Sequence, residues 1–518
     1  MNVAELFERQ ARSRQDQPAL VMGKYKATHG ELFTMMCVIA ARLHAGGVQR
    51  GDRVGVCVRQ PVASVALTLA LAHIGAVSVA VPVPVGDELL DAVAGDCGMT
   101  WVVHDRATHH ILQRVAPQRQ FMFSALAAQP EPGLRIPVMA NVAPDDVWRV
   151  SLSSGTTGAP KGIEWTNGCS ILTANLRRVV TPTSAQDRVL LAMDPAMNYA
   201  VHNWLRTLDA GACIVMPVSR SSEDAVRAAI DHRATQAITT TGTALGMVRY
   251  ARSEEAGLAG PVPGLASIWV GGAMMSPQLR AALTAHISPA VFNNYGATEI
   301  GMAALADPVL AAQHPECAGR LMSWVEAQAI GPDGQVLPPG KRGLLRFRSP
   351  TMALRYSGSA DANDQAFRDG WFHSNDRGAV TPDGLMWLDG RGDDVLNLAG
   401  VKVDPTRIES VIEEDPAIVE SAVVVVPDAI GAPILVAVIV APQGADAEAL
   451  RQRCLAKLGA NCQPRGVVTV PALPRNAAGK IERETLRSKV RMGAKPEGQA
   501  PAAPAPAPEI ADDALKFE

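Results

Sequence analysis

The sequence predicts an α/β protein built as a large N-terminal domain of stacked βαβ sheets plus a small β-barrel region, with a small α+β domain at its C-terminal end. Three observations carry this expectation. A chain of 518 residues with 47% hydrophobic content is too long for one core and divides into at least two. From about residue 50 to 300, Val/Ile/Ala-rich runs alternate with longer helical stretches, the pattern of βαβ units. Past residue 320 the pattern changes twice, first to short strands broken by Gly and Pro, then to a compact strand and helix alternation.

Taken in chain order, the first segment sets Glu5, Glu8, Arg9 and Arg12 among Val3, Leu6, Phe7 and Ala11, which reads as an amphipathic helix rather than a signal peptide. The run from Val62 to Val85 carries no formal charge and has the length of a membrane span, yet it contains His73, Gly75, Pro82 and Pro84. It is expected to be a buried helix ending near Gly75 and then a buried strand. Strands are expected at Arg53 to Val58, Val77 to Val81, Val147 to Leu152, Cys213 to Met216 and Ile268 to Val270. Between Ala327 and Arg348, Gly-Pro-Asp-Gly and Pro-Pro-Gly predict antiparallel hairpins in a sub-barrel. A domain boundary is placed at Asp389-Gly390-Arg391-Gly392-Asp393. After it, strands Ser421 to Val426 and Ile434 to Val440 accompany helices Arg407 to Glu413 and Ala447 to Leu458. The expected division is 1–390, a hinge at 391–393, a small domain at 394–490, and an Ala/Pro-rich tail at 491–518 that lacks the apolar side chains to offset chain entropy.

Composition narrows the function. The net charge is −3 with both signs interspersed, so neither nucleic acid nor an anionic membrane is favoured as a partner. The eight cysteines are scattered without a Cys-x-x-Cys pair, which suits a reducing cytoplasm and disfavours both a disulfide framework and structural zinc.

The most informative segment is Ser153-Ser154-Gly155-Thr156-Thr157-Gly158-Ala159-Pro160-Lys161-Gly162, directly after a predicted strand. Glycines let backbone N–H groups approach an anion, hydroxyls add donors, and Lys161 adds a full charge, so the loop suits a phosphate chain. It is not a Walker A loop, because Pro160 precedes the lysine and Gly162 follows it.

Four further segments follow in order: Asn294-Tyr295-Gly296-Ala297-Thr298-Glu299; Gly370-Trp371-Phe372-His373-Ser374-Asn375-Asp376; Gly390-Arg391-Gly392-Asp393-Asp394 continuing to Gly400-Val401-Lys402-Val403 and Ile408-Glu409; and Leu473-Pro474-Arg475-Asn476-Ala477-Ala478-Gly479-Lys480-Ile481. A single carboxylate or lysine among them would be an ordinary surface charge. Together, and collinear with the loop over most of the chain, they resemble the adenylate-forming superfamily of acyl- and aryl-CoA synthetases, peptide-synthetase adenylation domains and luciferases.

That resemblance implies a set of roles. ATP would sit against Ser153, Ser154, Gly155, Thr156, Thr157, Gly158 and Lys161, with Gly272, Asn294, Tyr295 and Gly296 also lining the nucleotide. Thr298 would donate to the α-phosphate, and Glu299 would hold Mg²⁺, a hard cation suited to oxygen ligands. Asp376 would accept the ribose hydroxyls, with Arg391 assisting. Lys480 would bridge the carboxylate and the α-phosphate, where transition-state charge concentrates. The small domain would be mobile, turning about Asp393 so that Lys402 and Glu409 face the site for thioester formation. An acid pocket would involve Tyr199, His202 and Trp204, with Gly271 and Ala273. Since Asp194 has no assignable role toward an ammonium group, an aromatic or medium-chain acid is expected rather than an amino acid. The expected activity is ATP-dependent formation of an acyl-adenylate followed by transfer to a thiol. Coenzyme A is the first acceptor; a phosphopantetheine arm on an acyl-carrier protein is the alternative. A non-catalytic nucleotide-binding homologue and a luciferase-like oxygenase are the rival readings. Two departures from the family pattern stand out: Ser374-Asn375 replaces Thr-Gly, and Glu164-Trp165 replaces a Val-x-x pattern, for which the sequence offers no role.

Overall fold

The computed structural model describes residues 1–81, 93–106, 108, 119–152, 161–272, 275, 277–358, 360–391, 396–398, 401–403, 405–415, 417–418, 420–428, 431–442, 444–474 and 483–493. The expectations for 153–160, Ala273, Asp393, Lys480 and the tail from 494 lie outside these residues.

The larger of two sheets in the N-terminal domain has 14 strands. One end of it, after the edge hairpin, is parallel: Pro18–Met22, Cys213–Met216, Arg188–Ala192, Gln236–Thr240, Ser267–Gly271 and Ala290–Ala297 lie side by side. At Gly301–Ala306 the direction reverses, and from there Gly319–Leu321, Leu385–Arg391, Trp371–Val380, Gly343–Arg348 and Glu326–Ile330 continue antiparallel. The hairpins expected between Ala327 and Arg348 therefore extend the same sheet. The reversal falls at the Asn294–Glu299 segment, so the sheet changes character where the motif sits.

The second sheet has seven strands and pairs Arg53–Cys57 with Val77–Ala80 and Trp101–His104 in parallel. The charge-free run forms the helix Pro61–His73, in which every residue from Val62 to His73 is buried. A helix apolar on all sides belongs in an interior. It starts with the Gln60 side chain accepting from the Ala63 N–H and Pro61 in the first turn, and after it Gly75 takes φ 74° before the strand begins. Around it pack residues of the helices Ala4–Ser13, His29–Ala45 and Asn198–Asp209, together with Trp148, Trp165 and Trp204. No helix among the described residues is long and apolar enough to cross a membrane, and all eight cysteines are free thiols.

The strand Val147–Leu152 pairs antiparallel with Gly162–Thr166, with Leu152 opposite Gly162, so the two ends of the glycine-rich loop lie side by side. The return strand is buried throughout. Inside it Glu164, 2% exposed, accepts from Arg53 Nη2 at 2.5 Å, Ser357 Oγ at 2.9 Å and Arg355 Nε at 2.8 Å. Its carbonyl takes the Leu354 N–H, and the Gly162 carbonyl takes the Ser357 N–H, adding Arg355–Tyr356 as the next strand. One carboxylate thus ties the loop hairpin to two other stretches of chain. Trp165 beside it is fully buried, its ring edge-on to His202 at 4.5 Å. Both residues of the departing Glu164-Trp165 pair are therefore packing elements.

The C-terminal domain has a three-stranded sheet in which Glu420–Pro427 pairs antiparallel with Pro433–Val440, and the latter pairs in parallel with Gly466–Thr469. Helices Pro405–Ile412, Ala447–Leu458 and Arg483–Gly493 complete it, the last running past residue 490. Glu409 is held within this domain. It is 9% exposed and accepts from Arg483 Nη1 at 2.6 Å, Arg483 Nη2 at 3.2 Å and the Val423 N–H at 2.8 Å. The pair anchors the start of the helix Arg483–Gly493 to the sheet, and Leu473 is buried.

Burial pushes the Glu164 carboxyl up, but the hydrogen bonds from Arg53, Ser357 and Arg355 and the Arg53 charge outweigh it, so the group ionises below its usual range. A depressed folded value contributes stability above the unfolded value, lost as pH falls through the folded one. Glu164→Gln should cost about 2–4 kcal/mol at neutral pH, because it leaves half-buried Arg53 without its counter-charge and removes a buried, triply hydrogen-bonded anion. In denaturant titrations the gap between the two proteins should be widest at pH 7 and narrow below about pH 4. A gap independent of pH would show that the charge contributes nothing.

Candidate active site

The Asn294–Glu299 segment runs off the end of the strand Ala290–Ala297 into a turn. Asn294 Nδ2 donates to the Val270 carbonyl at 3.1 Å and to Tyr199 Oη at 2.8 Å. Opposite it, Gly271 leaves no room for a side chain, since a Cβ there would lie 2.9 Å from Asn294 Nδ2. At Gly296 the pairing register shifts, and a Cβ would fall 2.1 Å from the Gly301 carbonyl oxygen. Only glycine fits that close backbone approach, which turns the chain and presents half-buried Thr298 and buried Glu299. Gly272, at φ 93°, ends the neighbouring strand in the left-handed region.

Glu299, 7% exposed, accepts from the Tyr356 hydroxyl at 2.9 Å. The Lys161 ammonium lies 5.1 Å from the centre of the same tyrosine ring. Tyr356 thereby links the lysine at the foot of the loop with the carboxylate of the second motif. It belongs to none of the five motifs, and no local pattern marks it; only the pairing of Arg355–Tyr356 with the loop hairpin brings it there.

Asp376 and Arg391 lie opposite one another on neighbouring antiparallel strands. The Tyr295 hydroxyl donates to Asp376 Oδ2, which ties the third motif to the second. The Ser374-Asn375 departure is accounted for here. Asn375 has φ 59°, a conformation that asparagine accepts more readily than other non-glycine residues, so it serves where the family carries glycine. Ser374 Oγ donates to the Leu345 carbonyl at 3.0 Å and accepts from the Asp376 N–H at 3.1 Å, fixing the aspartate's backbone. Lys402 lies on the hairpin Leu396–Leu398/Val401–Val403, opposite Asn397.

The three residues expected at the acid pocket separate. Tyr199 is half-buried and lies against Asn294. Trp204, 1% exposed, donates its indole N–H to the Pro195 carbonyl at 3.1 Å and is a core residue. His202 is equally buried; burial, then the charges of Arg177 and Arg149, push it well below the usual imidazole range and keep it neutral. Asp194 is engaged by Arg220 Nη2 at 2.6 Å. Among the described residues no group of three or more His, Cys, Asp or Glu side chains is placed to hold a metal by itself. Glu299 offers a hard oxygen donor pair, linked through Tyr356 to Lys161, which would suit a cation shared with a ligand's oxygens rather than caged by protein.

A family profile described as AMP-binding enzyme matches residues 7–357, and one described as AMP-binding enzyme C-terminal domain matches 407–480. The 3-hydroxybenzoate–CoA ligase of Aromatoleum sp. (strain CIB) is 27% identical over 92% of this chain and 94% of its own. The feruloyl-CoA synthase of Amycolatopsis sp. is 27% identical over 93% of this chain and 97% of its own. Among solved structures, the amide bond synthetase McbA from Marinactinospora thermotolerans superposes with a TM-score of 0.83 at 23% identity, covering 94% of this chain and 99% of that one, and so shares the fold. With profiles matching both domains, the chain belongs to the AMP-binding enzyme family.

Proposed function

We propose that the protein is an AMP-forming acid–thiol ligase acting on a small aromatic carboxylic acid, with coenzyme A as the acceptor. The observation that carries this reading is the pair of tyrosine links. Lys161, Tyr356 and Glu299 form one contact chain, and Tyr295 reaches Asp376, which lies opposite Arg391 on the next strand; Tyr295 is on the strand Ala290–Ala297 and Glu299 in the turn that follows it. These links among four distant segments support a nucleotide site, since hydroxyl donors, a lysine and carboxylates are the groups that would receive ATP and its cation. The names of the relatives, ligases for 3-hydroxybenzoate and ferulate, support an aromatic acid and coenzyme A.

In this reading the acid's carboxylate oxygen attacks the α-phosphorus and pyrophosphate leaves. The thiol then attacks the acyl carbon, AMP leaves, and the thiol proton passes to solvent. Ser153, Ser154, Gly155, Thr156, Thr157 and Gly158 with Lys161 hold the phosphates, and Thr298 donates to the α-phosphate. Asp376 and Arg391 hold the ribose. Gly272, Asn294, Tyr295 and Gly296 shape the walls of the nucleotide site. Glu299 is the protein ligand for magnesium, which when bound neutralises phosphate charge. Lys480 supplies a cation between the two reacting anions. Asp393 is the hinge, and Lys402 belongs to the face used for thiol transfer.

Two outcomes test the reading. Pyrophosphate exchange should be acid-dependent and largest with substituted benzoates and cinnamates; a folded, ATP-binding protein that exchanges with no acid would make it a non-catalytic homologue. Lys480→Ala should lower adenylation by about 10²-fold or more. It should leave thioester formation from supplied acyl-adenylate much less affected, measured with coenzyme A and with a phosphopantetheinylated carrier protein side by side. Equal loss of both half-reactions would remove Lys480 from the role given to it.

A further inference from the structure

The helix Asn167–Val180 carries Arg177 into the interior, where it is 5% exposed. Its guanidinium carbon lies 5.3 Å from the centre of the Tyr199 ring, Nη1 lies 4.0 Å from Met302 Sδ, and Nε has no protein partner. Among the described residues no carboxylate stands within ion-pair range of it, and the one group favouring its charge is the Tyr199 phenol. A buried guanidinium normally sits opposite a carboxylate, because desolvating a lone cation is costly.

Its surroundings deepen the imbalance. Arg149 and Arg206 are also buried, but each reaches a backbone carbonyl, Arg149 that of Ala196 and Arg206 that of Thr181 at 2.8 Å. Burial and then Arg177 push the Arg206 guanidinium down, to about 9, and the charges of Arg177 and Arg149 help hold His202 neutral. Asp187 and Asp194 act on Arg206 and Arg149, and Asp194 is already paired with Arg220. The cluster is therefore net positive, and Arg177 is its least satisfied member.

It is also the member beside the expected acid pocket. Tyr199, which Arg177 covers, accepts from Asn294, and Asn294 packs on Gly271 along the strand that leads to Thr298 and Glu299. Tyr199 thus touches the guanidinium through its ring and Asn294 of that wall through its hydroxyl.

We propose that the acid activated here carries a second anionic group, a carboxylate apart from the reacting one, and that Arg177 together with Tyr199 receives it. This rests on the ligase reading above for the position of the reacting carboxylate. A second carboxylate supplies the charge-assisted hydrogen bonds that Arg177 lacks, and a neutral ring in its place leaves the cation bare.

The three benzenedicarboxylates set against benzoate test this. In pyrophosphate exchange the wild-type protein should prefer at least one dicarboxylate to benzoate by about 10²-fold in kcat/KM. Arg177→Met should reduce that ratio by about 10²-fold, while Arg177→Lys restores part of it. Thermal melting and ATP binding check that the variants fold. Calorimetry of dicarboxylate binding to wild type and Arg177→Met stands apart from turnover. If no acid supports exchange yet a dicarboxylate binds and Arg177→Met removes binding, the ligase reading fails and only the carboxylate subsite at Arg177 and Tyr199 stands. A wild-type protein that treats benzoate and every dicarboxylate alike, or an Arg177→Met protein that keeps the wild-type ratio, would overturn it.

Discussion

A single carboxylate that is 2% exposed holds the ground on which the candidate site stands: Glu164, between Arg53 and Arg355. The residues flanking the glycine-rich segment are held in register by the hairpin Val147–Leu152/Gly162–Thr166. That hairpin lies in the second sheet, whereas Asp376 belongs to the 14-stranded one and Glu299 to the turn between two of its strands. What brings the two together is the short strand Arg355–Tyr356, hydrogen-bonded to the hairpin and locked to it through Glu164. The cost of burying an ion is borne by three donors in good geometry, which makes the arrangement specific as well as stable.

From that lock the rest of the patch follows. Fixing Arg355 fixes Tyr356, whose ring meets Lys161 and whose hydroxyl meets Glu299. Glu299 is placed by the glycine turn at the point where the large sheet changes from parallel to antiparallel. Tyr295, on the strand that leads into that turn, reaches Asp376 and so adds the last part of the surface. Two tyrosines from different parts of the chain connect charges that lie far apart in sequence.

Much of this was legible in the sequence, and the exceptions have physical causes. Strands such as Val147–Leu152 and Cys213–Met216 are short apolar runs bounded by turn residues, so their pattern marks them without tertiary help. The collinear motifs located Glu299 and Asp376 because those segments are local in sequence. Tyr356 and Arg53 act only through long-range pairing, and no local pattern encodes that. Trp204 has the right residue type and position for a pocket, yet its helix turns it toward Pro195, a matter of helical phase. Glu409 likewise faces inward because Arg483 and the Val423 N–H claim it. Asn375 looked like a departure until its positive φ showed it doing a glycine's work.

The central claim is that this patch joins a carboxylate oxygen to the α-phosphorus of ATP. The most direct test is to supply an accepted acid with both carboxylate oxygens labelled with oxygen-18, complete the transfer to coenzyme A, and weigh the products by mass spectrometry. The account predicts one labelled oxygen in AMP and none in pyrophosphate. Label in pyrophosphate or inorganic phosphate, or unlabelled AMP alongside thioester, would contradict it.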